Sequence, residues 1–282
     1  MSNDIPWPIK IYRNAQEIAA RTIYPSTCHF LKIDDRDNPK PHASGVFAKI
    51  ENNYFLLTAA HVIDDCEDDI YIGIKCEEPL LKLGGEWTKN IPETTREKDK
   101  IDAAVLKLDD ETIKKIGGAY QFIDINSIEL NHSAKELPMY ISLGFPASMS
   151  KYNSYKKELK STPFQYITMC AEDCVYEKLG CKSKVNLITH YDKKNVVDYK
   201  SGEKKNGPDP FGISGSGLWY IPETEVLKTH GIKMKLVAIM TEWPFNNKQY
   251  WIGTRIDIFT EIIRNKYNLN IPKSSIVNVN LE

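Results

Sequence analysis

The chain has almost no net charge: 37 lysines and arginines stand against 38 aspartates and glutamates in 282 residues. That balance sets up no global field toward nucleic acid or an anionic membrane, so neither is expected as a partner. Nor does any apolar run approach the ~18 residues a membrane span needs. The opening stretch, MSNDIPWPIKIYRNAQ, has neither the basic start nor the apolar core of a secretory leader. A cytoplasmic location is the expectation. Internal repeats and low-complexity tracts are missing as well. Basic stretches at 151–160 and 200–205 each carry glutamate, which fits solvated loops. Cysteine is sparse at six: Cys28, Cys66, Cys76, Cys170, Cys174 and Cys181. Free thiols are the default in a chain of this kind. Cys170, Cys174 and Cys181, with His190 downstream, could close a tetrahedral zinc site, although the usual C-x2-C knuckle is lacking. A disulfide within that cluster is the other alternative. No cofactor is called for.

The hydrophobic fraction, 41%, is ordinary for a globular protein, and the length suffices for one large core or two modest ones. Residues 1–23 read as a lead-in with one short helix, since Asn14 and Glu17 have capping-box spacing ahead of Ile18. From Tyr24 onward the pattern is strands. Residues 45–50 and 54–60 flank Glu51-Asn52-Asn53, a hairpin in which asparagine tolerates the positive φ of a tight turn. Ile70, Ile72 and Ile74 alternate with polar or small neighbours, and 103–108 is a short buried run. Further strands are expected at 139–143, 166–169, 185–189, 217–221, 236–241 and 250–255, followed by a closing helix with Asp257 as its N-cap. Many short strands with little helix mean an all-β barrel or sandwich. A weak seam near 114–127 divides the chain into two strand-rich halves, 24–118 and 119–266, with 267–282 as a tail.

Three sites carry candidate chemistry. Ser214 lies in Gly212-Ile213-Ser214-Gly215-Ser216-Gly217. A serine hydroxyl needs a base to take its proton and backbone N–H groups aimed at the oxyanion. Flanking glycines let the backbone turn that way, and Gly212 and Ser214 would supply the two donors. The nucleophile elbow of α/β-hydrolases does not fit, because Ser216 replaces its second glycine and strand, not helix, follows. His61 sits where a buried strand leaves the core, with small Ala59 and Ala60 leaving room for an imidazole. Its ordinary pKa of ~6.5 suits general-base work. Asp102 opens the buried run 103–108, where a partly desolvated carboxylate needs a partner such as an imidazole N–H. The order His, Asp, Ser separates this set from subtilisin and from α/β-hydrolases.

TAAHV at 58–62, DAAVL at 102–106 and GISGSG at 212–217 resemble the three motif blocks of the trypsin-like serine peptidases, in variants closer to bacterial HtrA-like members than to digestive ones. Leu143-Gly144-Phe145-Pro146 is similar to a segment common in the second barrel of that group. The resemblance spans roughly residues 25–265. It implies two packed β-barrels of the six-stranded type with short terminal helices. It also implies a catalytic triad of His61 and Asp102 from the first barrel and Ser214 from the second, acting on a protein or peptide substrate through a covalent acyl-enzyme.

The chain departs from the digestive enzymes at Ile213, where they carry an aspartate that pairs with a newly cut N-terminus, so no activating cleavage of that kind is expected. No PDZ-like extension and no disulfide framework is evident. By the same resemblance the specificity pocket draws on Asp209 and on Thr241, Glu242 and Trp243, whose acidic groups would favour lysine or arginine. A partner-activated cytoplasmic protease fits this reading. Alternatives are a catalytically silent protease-like binding module, and an esterase or acyl-transfer enzyme using the same triad.

Overall fold

A computed structural model describes residues 14, 17, 18, 20–66, 69–74, 80–137, 139–198, 203–225 and 231–277. Most of the expected lead-in (1–13, 15, 16 and 19) and Cys76 lie outside them. Asn14 is itself helical, as are 17, 18 and 20–22, so it does not stand at the non-helical cap position.

The hairpin expected around residue 52 is the centre of the first half. β2 (Pro39–Ile50) pairs antiparallel with β3 (Asn53–Thr58), Ile50 opposite Asn53, leaving the two-residue turn Glu51-Asn52. The residue with positive φ is Glu51 (54°), not an asparagine. Its carboxylate accepts from the Asn270 N–H at 3.0 Å, a tether from the far end of the chain that compensates the left-handed backbone. β2 is buried on both faces, and its alternation explains why: Ala43 and Phe47 face one apolar cluster while Val46, Ala48 and Ile50 face another.

Around this hairpin lie β1 (Thr27–Ile33), β4 (Tyr71–Gly73), β5 (Leu80–Lys82), β6 (Gly85–Lys89) and β7 (Ala104–Leu108), giving a curled seven-stranded sheet in the order β5-β4-β1-β2-β3-β7-β6. The second half builds a six-stranded sheet, β11-β8-β15-β16-β17-β12. Its strands are β8 (Tyr140–Gly144), β11 (Phe164–Thr168), β12 (Asn186–His190), β15 (Gly217–Tyr220), β16 (Lys235–Glu242) and β17 (Tyr250–Arg255). Two small ribbons sit apart from it: β9 (Ser150–Asn153) with β10 (Glu158–Ser161), and β13 (Val196–Val197) with β14 (Lys204–Lys205). Short helices α1 (Ala60–Asp64), α2 (Asp110–Ile116) and α3 (Asp173–Lys178) occupy connections. The architecture is all-β, two curled antiparallel sheets packed face to face. Ile123 still bridges to Ala48 of the first sheet whereas Ile128 bridges to Leu236 of the second, so the chain crosses over between those two residues.

One apolar cluster spans the two sheets. Val46, Phe55, Leu57 and Val105 meet Ile141, Leu143, Trp219, Leu236 and Ile239 across the interface. Helix α4 (Ile256–Tyr267) seals it with Ile256, Ile258, Phe259, Ile262 and Ile263, all at most 1% exposed. Each such side chain contributes ~1.5–3 kcal/mol of burial. Asp257 is not the cap of this helix: Arg255 holds that position, and Asp257 lies buried in the first turn. There its Oδ1 accepts from the Asn131 N–H (2.8 Å) and the Ser274 hydroxyl (2.7 Å), while the positive end of the helix favours its charge. The segment expected as a tail thus packs back on the body: Ile271 and Ser274 are buried. Among the described residues no helix is long and apolar enough to cross a membrane.

Candidate active site

Strand β3 ends at Thr58, and the chain turns directly into α1, which carries His61 in its first turn. Thr58 anchors the corner by donating its hydroxyl to the Ser44 carbonyl at 2.9 Å. Ala59 and Ala60 are fully buried. Asp102 grips this corner three times. Its Oδ1 accepts from the His61 backbone N–H (2.8 Å), its Oδ2 from the His61 ring Nδ1 (2.6 Å), and its carbonyl from the Ala60 N–H (3.2 Å). An ionised carboxylate only accepts, so Nδ1 carries the proton and Nε2 is left as an acceptor. The imidazole remains one-third exposed, at 33%, while the Asp102 side chain is buried at 8%. Burial works against a charged imidazole, but the hydrogen bond and charge of Asp102, with Asp65 adding to them and Arg96 opposing, raise the His61 pKa above 6.5.

Asp102 holds an unusual backbone, φ 40°, in the region that side-chain-bearing residues avoid. A polar cage built from the loop before it explains how. Asp99 Oδ1 accepts from the Ile101 N–H (2.9 Å); its Oδ2 accepts from the Asp102 N–H (3.1 Å), Asn90 Nδ2 (2.7 Å) and Arg96 Nη1 (2.5 Å). Asn90 Oδ1 in turn accepts from the Ala103 N–H at 2.8 Å. Arg96 Nε reaches Asp64 at the end of α1 (2.6 Å), so the guanidinium ties the His61 helix to the Asp102 loop.

The serine loop is shaped by its glycines and by the opposite sheet. The Ile213 N–H donates to the Pro210 carbonyl (2.8 Å) with Gly212 at φ 95°, the pattern of a type II turn. That turn sends the Phe211 carbonyl to the Ala147 N–H (2.8 Å), which points the Gly212 N–H the opposite way within the peptide plane. Gly215, φ 87°, permits a close approach: a Cβ there would stand 1.9 Å from the Ser44 carbonyl oxygen. Ser44 itself braces the loop, its N–H donating to the Ser214 carbonyl and its hydroxyl to the Gly212 carbonyl, both at 2.8 Å. Ile213 is buried at 4% in the core of the second sheet. Apolar burial therefore fixes the loop where an ion pair could have done so. Among the described residues neither the Gly212 N–H nor the Ser214 N–H has a hydrogen-bond acceptor.

His61, Asp102 and Ser214 line one cleft of about 810 Å³ between the two sheets. No hydrogen bond joins the Ser214 hydroxyl to the imidazole, as is common in such sites without substrate. Asp209, Thr241, Glu242 and Trp243 line the same cleft. Both carboxylates are engaged: Asp209 with Lys193 at 2.6 Å and Glu242 with Lys100 at 2.5 Å. The possible zinc set does not assemble. Cys174 is exposed on α3, the Cys181 thiol turns to the Leu179 carbonyl, and burial raises the pKa of Cys170 and takes that of Cys181 to about 11. Among the described residues no three histidine, cysteine or acidic side chains are grouped to hold a metal, and the five described cysteines are free thiols. Asn90, Arg96, Asp99, Ser44 and Trp251 are the site residues that sequence patterns did not single out.

Two packed antiparallel half-barrels with a His–Asp–Ser cleft between them define the chymotrypsin fold, the fold of the trypsin-like serine proteases. Mouse neuropsin, a serine protease expressed in the limbic system of the brain, aligns with a TM-score of 0.52 at 12% identity, over 86% of this chain and 94% of that one. A serine endoprotease from Yersinia pestis aligns with a TM-score of 0.47 at 17% identity, over 93% of this chain and 67% of that one. No protein-family description matches the sequence, and no curated protein is recognisably similar to it.

Proposed function

We propose that the chain is a serine endopeptidase with His61, Asp102 and Ser214 as its triad. The observation that carries this reading is the pairing of His61 Nδ1 with Asp102 Oδ2 at 2.6 Å in a cleft that Ser214 also lines, where the N–H groups of Ser214 and of nearby Gly212 have no acceptor among the described residues. Two donors on either side of Ile213, beside the serine, are what an oxyanion requires.

In this mechanism Ser214 Oγ attacks the peptide carbonyl carbon as its proton passes to His61 Nε2. The carbonyl oxygen becomes an oxyanion held by the Gly212 and Ser214 N–H groups. His61 then gives the proton to the departing amine nitrogen, the C–N bond breaks, and an acyl-Ser214 ester remains. Water repeats the sequence with His61 again as base, releasing the acid. Asp102 stays ionised and balances the imidazolium charge. Free thiols fit a reducing, cytoplasmic setting. The apolar anchoring of Ile213 fits a loop that needs no N-terminal cleavage to take shape. Treatment with a fluorophosphonate probe tests the reading: wild type acquires one label at Ser214, and Ser214→Ala acquires none. Label on both proteins, or on neither, overturns it.

A further inference from the structure

The wall of the cleft behind Ser214 is aromatic. Trp251 of β17 lines the cleft yet is 1% exposed. Its indole stacks on Tyr191, centroids 4.2 Å apart and planes 22° apart, with Tyr166 at 5.5 Å on another side. Tyr191 cannot swing away. Its hydroxyl donates to the Pro208 carbonyl at 2.6 Å, under the loop that leads to Ser214, and Trp243 meets it edge-on at 6.4 Å. Trp243 is pinned by its own indole N–H to the Lys248 carbonyl (3.1 Å). The stack is a rigid block.

The chemistry of the proposed reaction says which part of a substrate meets that block. His61 must protonate the departing amine, so the leaving side of the peptide lies toward α1 and the first sheet. The residue that supplies the attacked carbonyl lies on the other side, its oxygen on the Gly212 and Ser214 N–H groups. Its side chain is thereby directed to the part of the cleft lined by Phe211, Ile213, Met240, Thr241, Trp243 and Trp251. We infer that Trp251 is the floor of this subsite, and that it limits the residue before the scissile bond to a small uncharged side chain of the size of alanine, serine, threonine or valine. The inference rests on the peptidase reading and adds the substrate class to it. Size is restricted because a close-packed aromatic block does not yield to an added ring. Charge is disfavoured because the carboxylates on the two segments flanking this subsite, Asp209 and Glu242, already face Lys193 and Lys100.

The test uses the full chain and a series of peptidyl diphenyl phosphonates, identical except for the side chain next to phosphorus: alanine, valine, leucine, phenylalanine or arginine. Wild type should react with the alanine and valine probes at least ~10-fold faster than with the other three, the discrimination a shape-limited pocket supplies. Trp251→Ala should raise the leucine and phenylalanine rates relative to alanine by a similar factor. Trp251→Phe, which keeps an aromatic in the stack, should extend acceptance to leucine and covers the case in which the alanine variant does not fold. Faster reaction of wild type with phenylalanine, leucine or arginine overturns the inference, as does an unchanged order in the folded Trp251→Phe protein. A side-chain-free fluorophosphonate separates the two levels. If it labels Ser214 while the order is wrong, only the floor is refuted; if it fails to label, the peptidase reading falls and the subsite with it.

Discussion

Replacing Asp99 by alanine is the sharpest way to ask what holds the proposed triad together, because Asp99 has no hydrogen bond to His61 or Ser214. The substitution strips the acceptor from four donors: the Ile101 and Asp102 N–H groups, Asn90 Nδ2 and Arg96 Nη1. The Asp99 side chain is 6% exposed and that of Arg96 is 15% exposed, so the pair counts as largely buried. Breaking a buried pair by removing one partner costs about 3–5 kcal/mol, and water entering from the cleft places this case at the lower end. A loss of ~3 kcal/mol is expected, read from urea unfolding by the shift in midpoint. Catalysis should suffer separately. Without the cage Asp102 has no reason to keep a φ of 40°, and its carboxylate drifts from the imidazole. Misplacement by about 1 Å costs on the order of 100-fold. The second-order rate of fluorophosphonate labelling should therefore fall by roughly that factor at a temperature where the variant is still folded. Asp99→Asn, isosteric but uncharged, should recover part of both losses. An Asp99→Ala protein with wild-type labelling and a stability change under about 1 kcal/mol would show that the loop keeps its shape without the cage.

Two further outcomes follow from the site. The labelling rate should rise with pH through a midpoint above 6.5, since a raised His61 pKa keeps the base protonated up to a higher pH; Asp102→Asn should move that midpoint down and slow the reaction about 10⁴-fold, and a flat profile in wild type would exclude His61 as the base. Gly212→Ala should cut peptide turnover by about 10²–10³-fold, because a Cβ there would lie 2.6 Å from the Phe145 carbonyl oxygen and the peptide carrying the oxyanion donor must rotate; unchanged turnover would refute the role of that N–H.

The all-β architecture was legible because many short runs, some alternating and some continuously apolar, follow one another along the chain with little helical pattern between them. The His61–Asp102 corner was legible because each residue abuts a buried strand end, where a polar group has few partners. The cage was not. Asn90, Arg96 and Asp99 are ordinary loop residues in sequence, and only the left-handed backbone of Asp102 explains why three of them converge. Trp251 went unmarked for a different reason: within YWIGTR it reads as a core aromatic, and core it is, yet β17 carries it to the edge of the cleft. At residue 51 and at residue 257 tertiary contacts overrode local rules. Glu51 takes the positive φ because Asn270 meets its carboxylate, and Asp257 gives up the cap position for a buried pairing with Asn131 and Ser274.

Ser44 carries a consequence for biosynthesis. It belongs to β2, made early, yet its N–H and hydroxyl clasp the carbonyls of Ser214 and Gly212, made some 170 residues later (|i−j| = 168 for the latter). On the proposed reading, a ribosome-bound chain ending before Gly212 has the acid and the base but no nucleophile. A separated C-terminal half has the nucleophile but nothing to mould its loop. On that reading, reactivity arrives only when both halves have emerged and docked.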